Sequence, residues 1–312
     1  MLTGAASSEV QVRPYTQQEL AGLSDFGLEW NACFADITWL SVARDKIIRA
    51  GSLFEINRGE RRGKDAMFYP KAGHGIESDY LRPVLKTPAS VKGLLASADS
   101  EAFCCSKTLA ELKRLDHTGA LAWIKKFEGQ VNGNGELLTV ALKRTGKQWY
   151  EMSDSTLADL VASINYGDRL FFARMKERSF VNQRLTRFIL SADGIHISMC
   201  HALLNSIASL WFLEALGFGR GLGVLDLNST KLKDSLYMFD PNLLDARRAA
   251  DVLGKFAPLL KRPVKPILEE LQSSDRLAFE KAVLDAYGLA SLLPQIVGSL
   301  KELYAIRVAA IR

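Results

Sequence analysis

The sequence changes character at Pro241, and this change restricts the fold more than any other feature. After Pro241, apolar residues recur at helical spacing in four segments, 243–256, 264–272, 275–287 and 291–308. Proline and glycine residues separate these segments. Before Pro241, the middle of the chain contains short apolar or alternating runs of strand length. The pattern predicts an α+β fold in which a strand-rich part precedes a helical C-terminal region.

Three regions are predicted along the 312 residues: a polar lead-in or linker over 1–35, a mixed α+β domain over 36–240, and a helical region over 241–312. Within the mixed domain, helices are predicted over 36–50, 106–115 with Ser106 as cap, 118–127 and 200–216. Strands are predicted over 52–56, 81–85, 149–152, 160–164, 169–175, 179–190, 224–227 and 232–239. Pro83 predicts an edge strand, and Asp193-Gly194 predicts a hairpin turn.

Composition excludes several classes of protein. The most apolar stretch, 202–218, is interrupted by polar residues, so no membrane span is expected. The first residues lack a basic start followed by an apolar core, which predicts a cytoplasmic protein without a secretory signal. The four cysteines show no C-x-x-C spacing and are interpreted as small buried residues.

The net charge of +5 permits a polyanionic partner, and the basic residues are clustered. The segment N-R-G-E-R-R-G-K-D (57–65) carries Arg58, Arg61, Arg62 and Lys64. Guanidinium groups match both guanine edges and phosphate oxygens, and the glycines would let the backbone approach a ligand closely. A solvated basic loop is the alternative interpretation.

A second basic group, interleaved with phenylalanines, comprises Arg169, Arg174, Lys176, Arg178, Arg184 and Arg187. Within it, S-F-V-N-Q-R (179–184) contains Asn182, Gln183 and Arg184, whose amide and guanidinium groups suit adenine and guanine edges. The alternative is a polar strand face.

The glycine-rich run G-F-G-R-G-L-G (217–223) invites comparison with dinucleotide-binding loops. Such a loop follows a strand and opens a helix, whereas here the predicted helix precedes and the strand follows. We therefore expect a tight loop that presents Arg220 and backbone amides to a phosphate.

Other catalytic signatures are weak or missing. Asp99, Glu111 and Lys113 imitate a nuclease core, but Glu111 and Lys113 on one helix diverge by roughly 200°. The histidines lack zinc spacing, and the sequence contains no P-loop, G-x-S-x-G or N-P-P-aromatic motif. No catalytic residue and no metal ligand is predicted in this chain.

Several long motifs, in order along the chain, resemble the C-terminal target-recognition region of bacterial adenine-specific DNA methyltransferases and fused restriction-modification enzymes. They are F-E-I-N-R-G-E-R-R-G-K-D-A-M-F-Y-P (54–70), I-E-S-D-Y-L-R-P-V-L-K-T-P (76–88), W-I-K-K-F-E (123–128), W-Y-E-M (149–152), S-F-V-N-Q-R-L (179–185), H-A-L-L-N-S (201–206), G-F-G-R-G-L-G-V-L-D-L (217–227) and R-L-A-F-E-K-A-V-L-D-A-Y-G-L (276–289). The resemblance runs from about residue 36 to the end.

The resemblance implies a domain that selects double-stranded DNA sequence for a catalytic methyltransferase domain. In the family, that catalytic domain contains the S-adenosylmethionine site and an N-P-P-F/Y tetrad. This sequence has neither of them. We therefore expect no cofactor on this chain, which would be a fragment, a separate subunit or the C-terminal part of a longer enzyme. Two alternatives stay open: a DNA endonuclease subunit, and a protein-interaction subunit that does not bind DNA.

Overall fold

The computed structural model describes residues 13–60, 63–152, 156–219 and 223–309. The α-helices are α1 (Gln17–Asp25), α2 (Thr38–Ala43), α3 (Asp65–Phe68), α4 (Leu109–Arg114), α5 (Thr118–Glu128), α6 (Leu138–Ala141), α7 (Ile197–Leu204), α8 (Ile207–Leu216), α9 (Ser229–Ser235), α10 (Ala246–Phe256), α11 (Ile267–Glu270), α12 (Ser274–Ala286) and α13 (Leu293–Ala309). The β-strands are β1 (Ile47–Arg49), β2 (Phe54–Arg58), β3 (Leu81–Leu85), β4 (Leu95–Ala96), β5 (Ser100–Phe103), β6 (Ala158–Ser163), β7 (Asn165–Tyr166), β8 (Ala173–Val181), β9 (Leu185–Leu190), β10 (Phe218–Gly219), β11 (Leu225–Asp226) and β12 (Tyr237–Phe239). The predicted α+β class is confirmed.

The main sheet has the order β2-β9-β6-β8-β3-β5, and β4 pairs in parallel with β8. β6 is antiparallel to both of its neighbours, β8 and β9. A further bridge joins Glu60, just after β2, to Asn182, just after β8. These two strands are separated by two others in the sheet order, so the sheet must curl for their ends to meet. A small core that includes Val161, Val181 and Leu185 packs on the curled strands.

The largest core is built around α7 and α8. All residues of α8 are buried, which is possible because the helix is apolar except for Ser209 and Glu214, whose polar groups bond to Leu203 and Arg307. Trp39 packs edge-on against Trp211 at 5.2 Å between ring centroids, and the Trp211 indole N–H donates to Ser299 Oγ at 2.7 Å. No single helix in the described ranges is long and apolar enough to cross a membrane; α7 and α8 pass such a test only as a pair bent by 63°.

This core extends across the predicted region boundaries. It includes Leu23 and Phe26 from the predicted lead-in and residues of α10, α12 and α13 from the predicted helical region. The boundaries at residues 35 and 240 remain a prediction about which segments fold independently. A second core is built around α4, α5, β3 and β5 and includes Phe180 of β8.

Long-range pairing changes several predicted elements. The helix predicted over 36–50 stops at Ala43, because residues 47–49 pair with β12 as a strand. The strand predicted over 232–239 begins as α9, and 149–152 is irregular. The strand predicted over 179–190 is two strands, joined by a turn at 182–184. The predicted edge strand β3 has neighbours on both sides, with only Val84 and Leu85 pairing with β8.

Two helix ends also differ from prediction. Thr108, and not Ser106, caps α4. Its side chain accepts from the Glu111 backbone N–H, and the Glu111 carboxylate accepts from the Thr108 backbone N–H. The helix predicted over 200–216 breaks at Asn205 and Ser206. The break leaves the Asn205 side chain bonded to both the N–H and the carbonyl of Phe172, at 2.9 Å each.

Candidate nucleic-acid interface

The turn between β8 and β9 places three predicted contact residues together. Asn182 organises it: its side-chain oxygen accepts from the Arg184 N–H and its carbonyl accepts from the Leu185 N–H, both at 2.9 Å. The Asn182 N–H donates to Leu85, which ties the turn to β3. Asn182 Oδ1 is therefore used inside the turn, whereas the Gln183 and Arg184 side chains are exposed.

Arg58 joins this turn from the other predicted segment. It is the last residue of β2, and its Nε donates to the Gln183 carbonyl at 2.7 Å. Arg58 and Gln183 are 125 positions apart in sequence, and the pairing of β2 with β9 brings them together. The guanidinium remains exposed, so its other N–H groups face solvent.

A cleft of about 700 Å³ opens beside the turn. Its floor includes Val161, Ala173 and Leu185 from three strands of the curled sheet. Its walls are formed by residues 86–91, 163–169 and 182–184. The charged residues that line it are Lys86, Arg169, Arg184, Asp65 and Asp168. The cleft is therefore polar at its rim, apolar at its floor and slightly cationic.

The C-terminal helices hold one wall of this cleft. The Arg307 guanidinium on α13 donates to the Gly167 carbonyl at 3.0 Å, and the Ile267 N–H donates to the Asp168 carbonyl at 2.6 Å. The loop that carries Arg169 is thus attached to the helical region through its backbone. Lys86, which sequence reasoning did not single out, enters the cleft because the end of β3 lies beside β8.

The predicted basic loop is only partly described. Arg61 and Arg62 lie outside the described residues, as does Arg220. Lys64 is half-buried, and its ammonium group donates to the Val131 carbonyl at 3.4 Å. In the described part of the chain, no hydrogen bond or ion pair joins the Lys64 side chain to Asn182.

Gly59 has a structural role in place of the predicted approach to a ligand. A β-carbon on this residue would clash with the Asn182 carbonyl oxygen and would lie 2.6 Å from that of Val181. The Gly59 N–H also donates to the Leu185 carbonyl at 2.8 Å. Glycine is needed here because two backbone segments meet at the start of the basic loop.

Replacing Gly59 by alanine should lower the free energy of unfolding by about 1–3 kcal/mol, because the added methyl group meets rigid backbone. Urea denaturation would measure the loss. Gly133→Ala is the matched control, since nothing lies within 4 Å of the position that its β-carbon would take, and it should change stability by less than about 0.5 kcal/mol. Equal effects at the two positions would contradict this assignment.

Half of the second basic group has partners within the fold. Arg187 forms an ion pair with Glu60 at 3.0 Å, with both side chains about one-tenth exposed. Arg178 pairs with Asp159 at 3.1 Å, and Arg174 donates to Ser198 Oγ at 2.7 Å. Of this group, Arg169 and Arg184 line the cleft. Among the described residues, these contacts leave exposed Arg58 bonded to the turn, and Arg169 and Arg184 lining the cleft.

The glycine-rich run follows a helix and precedes a strand, as predicted. A β-carbon on Gly217 would clash with the Leu225 side chain, and Phe218 pairs with Asp226. The Gly223 carbonyl accepts from the Arg307 guanidinium. In the described part of the run, glycine therefore permits close packing of β10 and β11.

The residues that imitate a nuclease core have structural partners. Glu111 belongs to the α4 capping box. The Asp99 carboxylate accepts from the Lys86 and Thr87 N–H groups at 2.7 and 2.8 Å. No group of three or more His, Cys, Asp or Glu side chains suited to a metal ion occurs among the described residues.

Comparison with solved structures finds the same fold in part of a larger protein. The type IIG restriction endonuclease BpuSI matches with a TM-score of 0.55 at 15% sequence identity. The match covers 95% of this chain and 36% of the BpuSI chain, so this chain spans about a third of that protein. No family model matches the sequence, and a search of curated proteins found no match. The chain therefore shares its α+β fold with a segment of a type IIG restriction endonuclease.

Proposed function

We propose that this chain recognises double-stranded DNA in a restriction-modification system. The specific proposal is that it selects the target sequence for an adenine-specific DNA methyltransferase whose catalytic domain is not in this chain. The observation that carries the proposal is the turn at 182–184, where exposed Gln183 and Arg184 line the polar cleft and Arg58 bonds to the Gln183 carbonyl. The fold shared with part of BpuSI supports the restriction-modification setting.

The side chains at this turn suit two kinds of DNA contact, with base edges and with backbone phosphates. Arg184 has an unpaired guanidinium within the described part of the chain, whose fork fits guanine O6 and N7, and Gln183 has an amide that fits an adenine edge. Arg58 is held through Nε and is suited to a phosphate contact that sets the register of the duplex. The proposed division is base reading by Gln183 and Arg184, with positioning by Arg58, Lys64 and Arg169. Arg61, Arg62, Asn182 and Arg220 remain proposed contacts.

Methylation of adenine requires the target base to leave the helical stack. This chain would hold the duplex on one side while the partner domain receives the base. S-adenosylmethionine, bound by that partner domain, would supply the methyl group. The residues of this chain orient the DNA and carry no step of the methyl transfer.

Selection from a pool of randomised duplexes tests the proposal. We expect an enriched sequence, with binding that weakens steeply as salt rises. Arg184→Ala should weaken binding to that sequence about tenfold or more and relax the preference at the base it contacts, because a bidentate base contact contributes about 1–3 kcal/mol. Arg58→Ala should weaken binding to all sequences alike.

Arg247→Ala is the control, since Arg247 is exposed on α10 and is not among the residues of the cleft. Binding without any enriched sequence would reject target recognition. Absence of duplex binding at low salt would favour a protein-interaction subunit, and cleavage that depends on a divalent metal would favour an endonuclease subunit.

A further inference from the structure

A short basic hairpin follows α6. Arg144 and Lys147 form an antiparallel bridge, and Gly146 between them has a φ of +72°, which makes the turn tight. The hairpin carries three exposed cations in five residues: Lys143, Arg144 and Lys147.

Local carboxylates neutralise this hairpin only weakly. The Lys147 ammonium lies 3.6 Å from the Glu151 carboxylate in an i,i+4 pair, in which the lysine side chain is 45% exposed and the glutamate side chain 15% exposed. Arg144 donates to the Glu151 carbonyl at 2.6 Å. The Lys143 ammonium has no partner in the described ranges. The 3.6 Å distance is longer than a hydrogen bond, and one carboxylate faces three cations, so the hairpin keeps a net positive charge that an external anion can bind.

Contacts of the basic loop place this hairpin near the turn at 182–184. Gly59 lies against the Asn182 backbone, and a β-carbon on Gly63 would lie 3.0 Å from Leu142 Cδ2, next to Lys143. Four peptide units separate Gly59 from Gly63, and a fully extended chain would span at most about 14 Å over them. The contacts at both ends add to this reach, so the base of the hairpin and the turn lie within roughly 25 Å of each other.

We propose that the hairpin Lys143–Lys147 is a second DNA-contacting element, which binds backbone phosphates beside the groove read by the turn at 182–184. The proposal rests on the proposed function and names double-helical DNA as the occupant. Two cationic elements at this separation can contact phosphates of the same duplex, because each strand carries a phosphate about every 3.4 Å along the helix. Because phosphates carry no sequence information, the hairpin contributes affinity and salt dependence and leaves the recognised sequence unchanged.

The test measures duplex affinity of the full chain by fluorescence anisotropy between about 50 and 200 mM salt, a range over which phosphate contacts weaken strongly. The variant Lys143→Ala/Lys147→Ala removes two cations and keeps Arg144, which bonds the backbone. Lys255→Ala/Lys281→Ala is the matched control, because it removes two exposed lysines from α10 and α12.

The hairpin variant should bind about tenfold or more weakly at low salt, with a slope of log affinity against log salt that is less negative by about 2. The enriched sequence should not change, and the control should behave as the unmodified chain. Hairpin and control variants with equal affinity and slope would overturn the hairpin assignment alone. An unmodified chain that fails to bind duplex would overturn both proposals, whereas non-specific binding weakened by the hairpin variant would support the hairpin and reject target recognition.

Discussion

Replacing Arg307 by alanine should lower the free energy of unfolding by about 3–5 kcal/mol, since it leaves a buried carboxylate without its partner. Arg307 on α13 and Glu214 on α8 form a two-bonded ion pair, with Nε–Oε1 and Nη2–Oε2 distances of 2.5 and 3.2 Å. Both side chains are less than one-twentieth exposed. The guanidinium also donates to the Gly167 and Gly223 carbonyls, so its loss releases two further backbone acceptors.

Urea denaturation monitored by tryptophan fluorescence would measure this loss. Arg247→Ala is the matched control, because it removes an exposed arginine from α10 and should change stability by less than about 0.5 kcal/mol. The double variant Glu214→Met/Arg307→Met should be more stable than Arg307→Ala, because it removes the orphaned charge as well. A loss below about 1 kcal/mol for Arg307→Ala would contradict the role assigned to the pair.

The Arg307→Ala substitution should also change the cleft, because it removes a bond to the loop that forms one of its walls. Gly167 is two residues before Arg169, and its carbonyl loses its bond to α13 when Arg307 is removed. We therefore expect a weaker affinity for duplex in the folded Arg307→Ala variant, even though Arg307 does not line the cleft.

Acid should destabilise the protein through His201. This residue is 1% exposed, its Nε2–H donates to the Phe172 carbonyl at 3.0 Å, and its ring packs edge-on against Phe256. Burial lowers the pKa of His201 to about 3, from an ordinary value of 6.5. Between these two pH values the unfolded chain binds a proton that the folded chain does not, so stability falls as the pH falls from 6.5 toward 3.

The expected loss from this residue is about 2 kcal/mol between pH 7 and pH 5, since each pH unit below 6.5 costs about 1.4 kcal/mol. His201→Gln keeps a donor for the Phe172 carbonyl and cannot titrate. The difference in unfolding free energy between pH 7 and pH 5 should shrink by about 2 kcal/mol in this variant. His196→Gln, at an exposed position, should retain the acid sensitivity of the unmodified chain. If His201→Gln lost as much stability as the unmodified chain, His201 would not be the titrating group.

Much of the α+β architecture follows from local sequence. The helix predicted over 118–127 is observed as 118–128, and helical segments follow Pro241 as their periodicity predicts. The spacing Thr108-x-x-Glu111 is typical of a capping box and forms one at the start of α4, although Ser106 also has a side chain suited to a cap. Such features depend on contacts within three or four positions, which a periodic pattern records directly.

The candidate site shows the limit of local sequence patterns. Its residue types are visible at 182–184 and at Arg58, but their association depends on the pairing of β2 with β9. Arg187 belongs to the same basic group as Arg184, yet Glu60, 127 positions away, holds it in an ion pair. The sequence shows K-R-T-G-K (143–147) as three cations around a glycine. Its link to the candidate site comes from the tertiary contact between Leu142, which precedes the hairpin, and Gly63 of the basic loop.

The sequence by itself determined the α+β class, the helices after Pro241 and which side chains carry charge, because these properties depend on near neighbours and on chemical identity. Only the tertiary structure decided which cations can bind an external anion. Arg184 lines the cleft, Arg187 is held in an ion pair with Glu60, and Arg307 on α13 bonds to the Gly167 carbonyl in the wall of the cleft. The physical reason is that the partner of a charge is set by strand order and helix packing, which join residues that lie about a hundred positions apart or more.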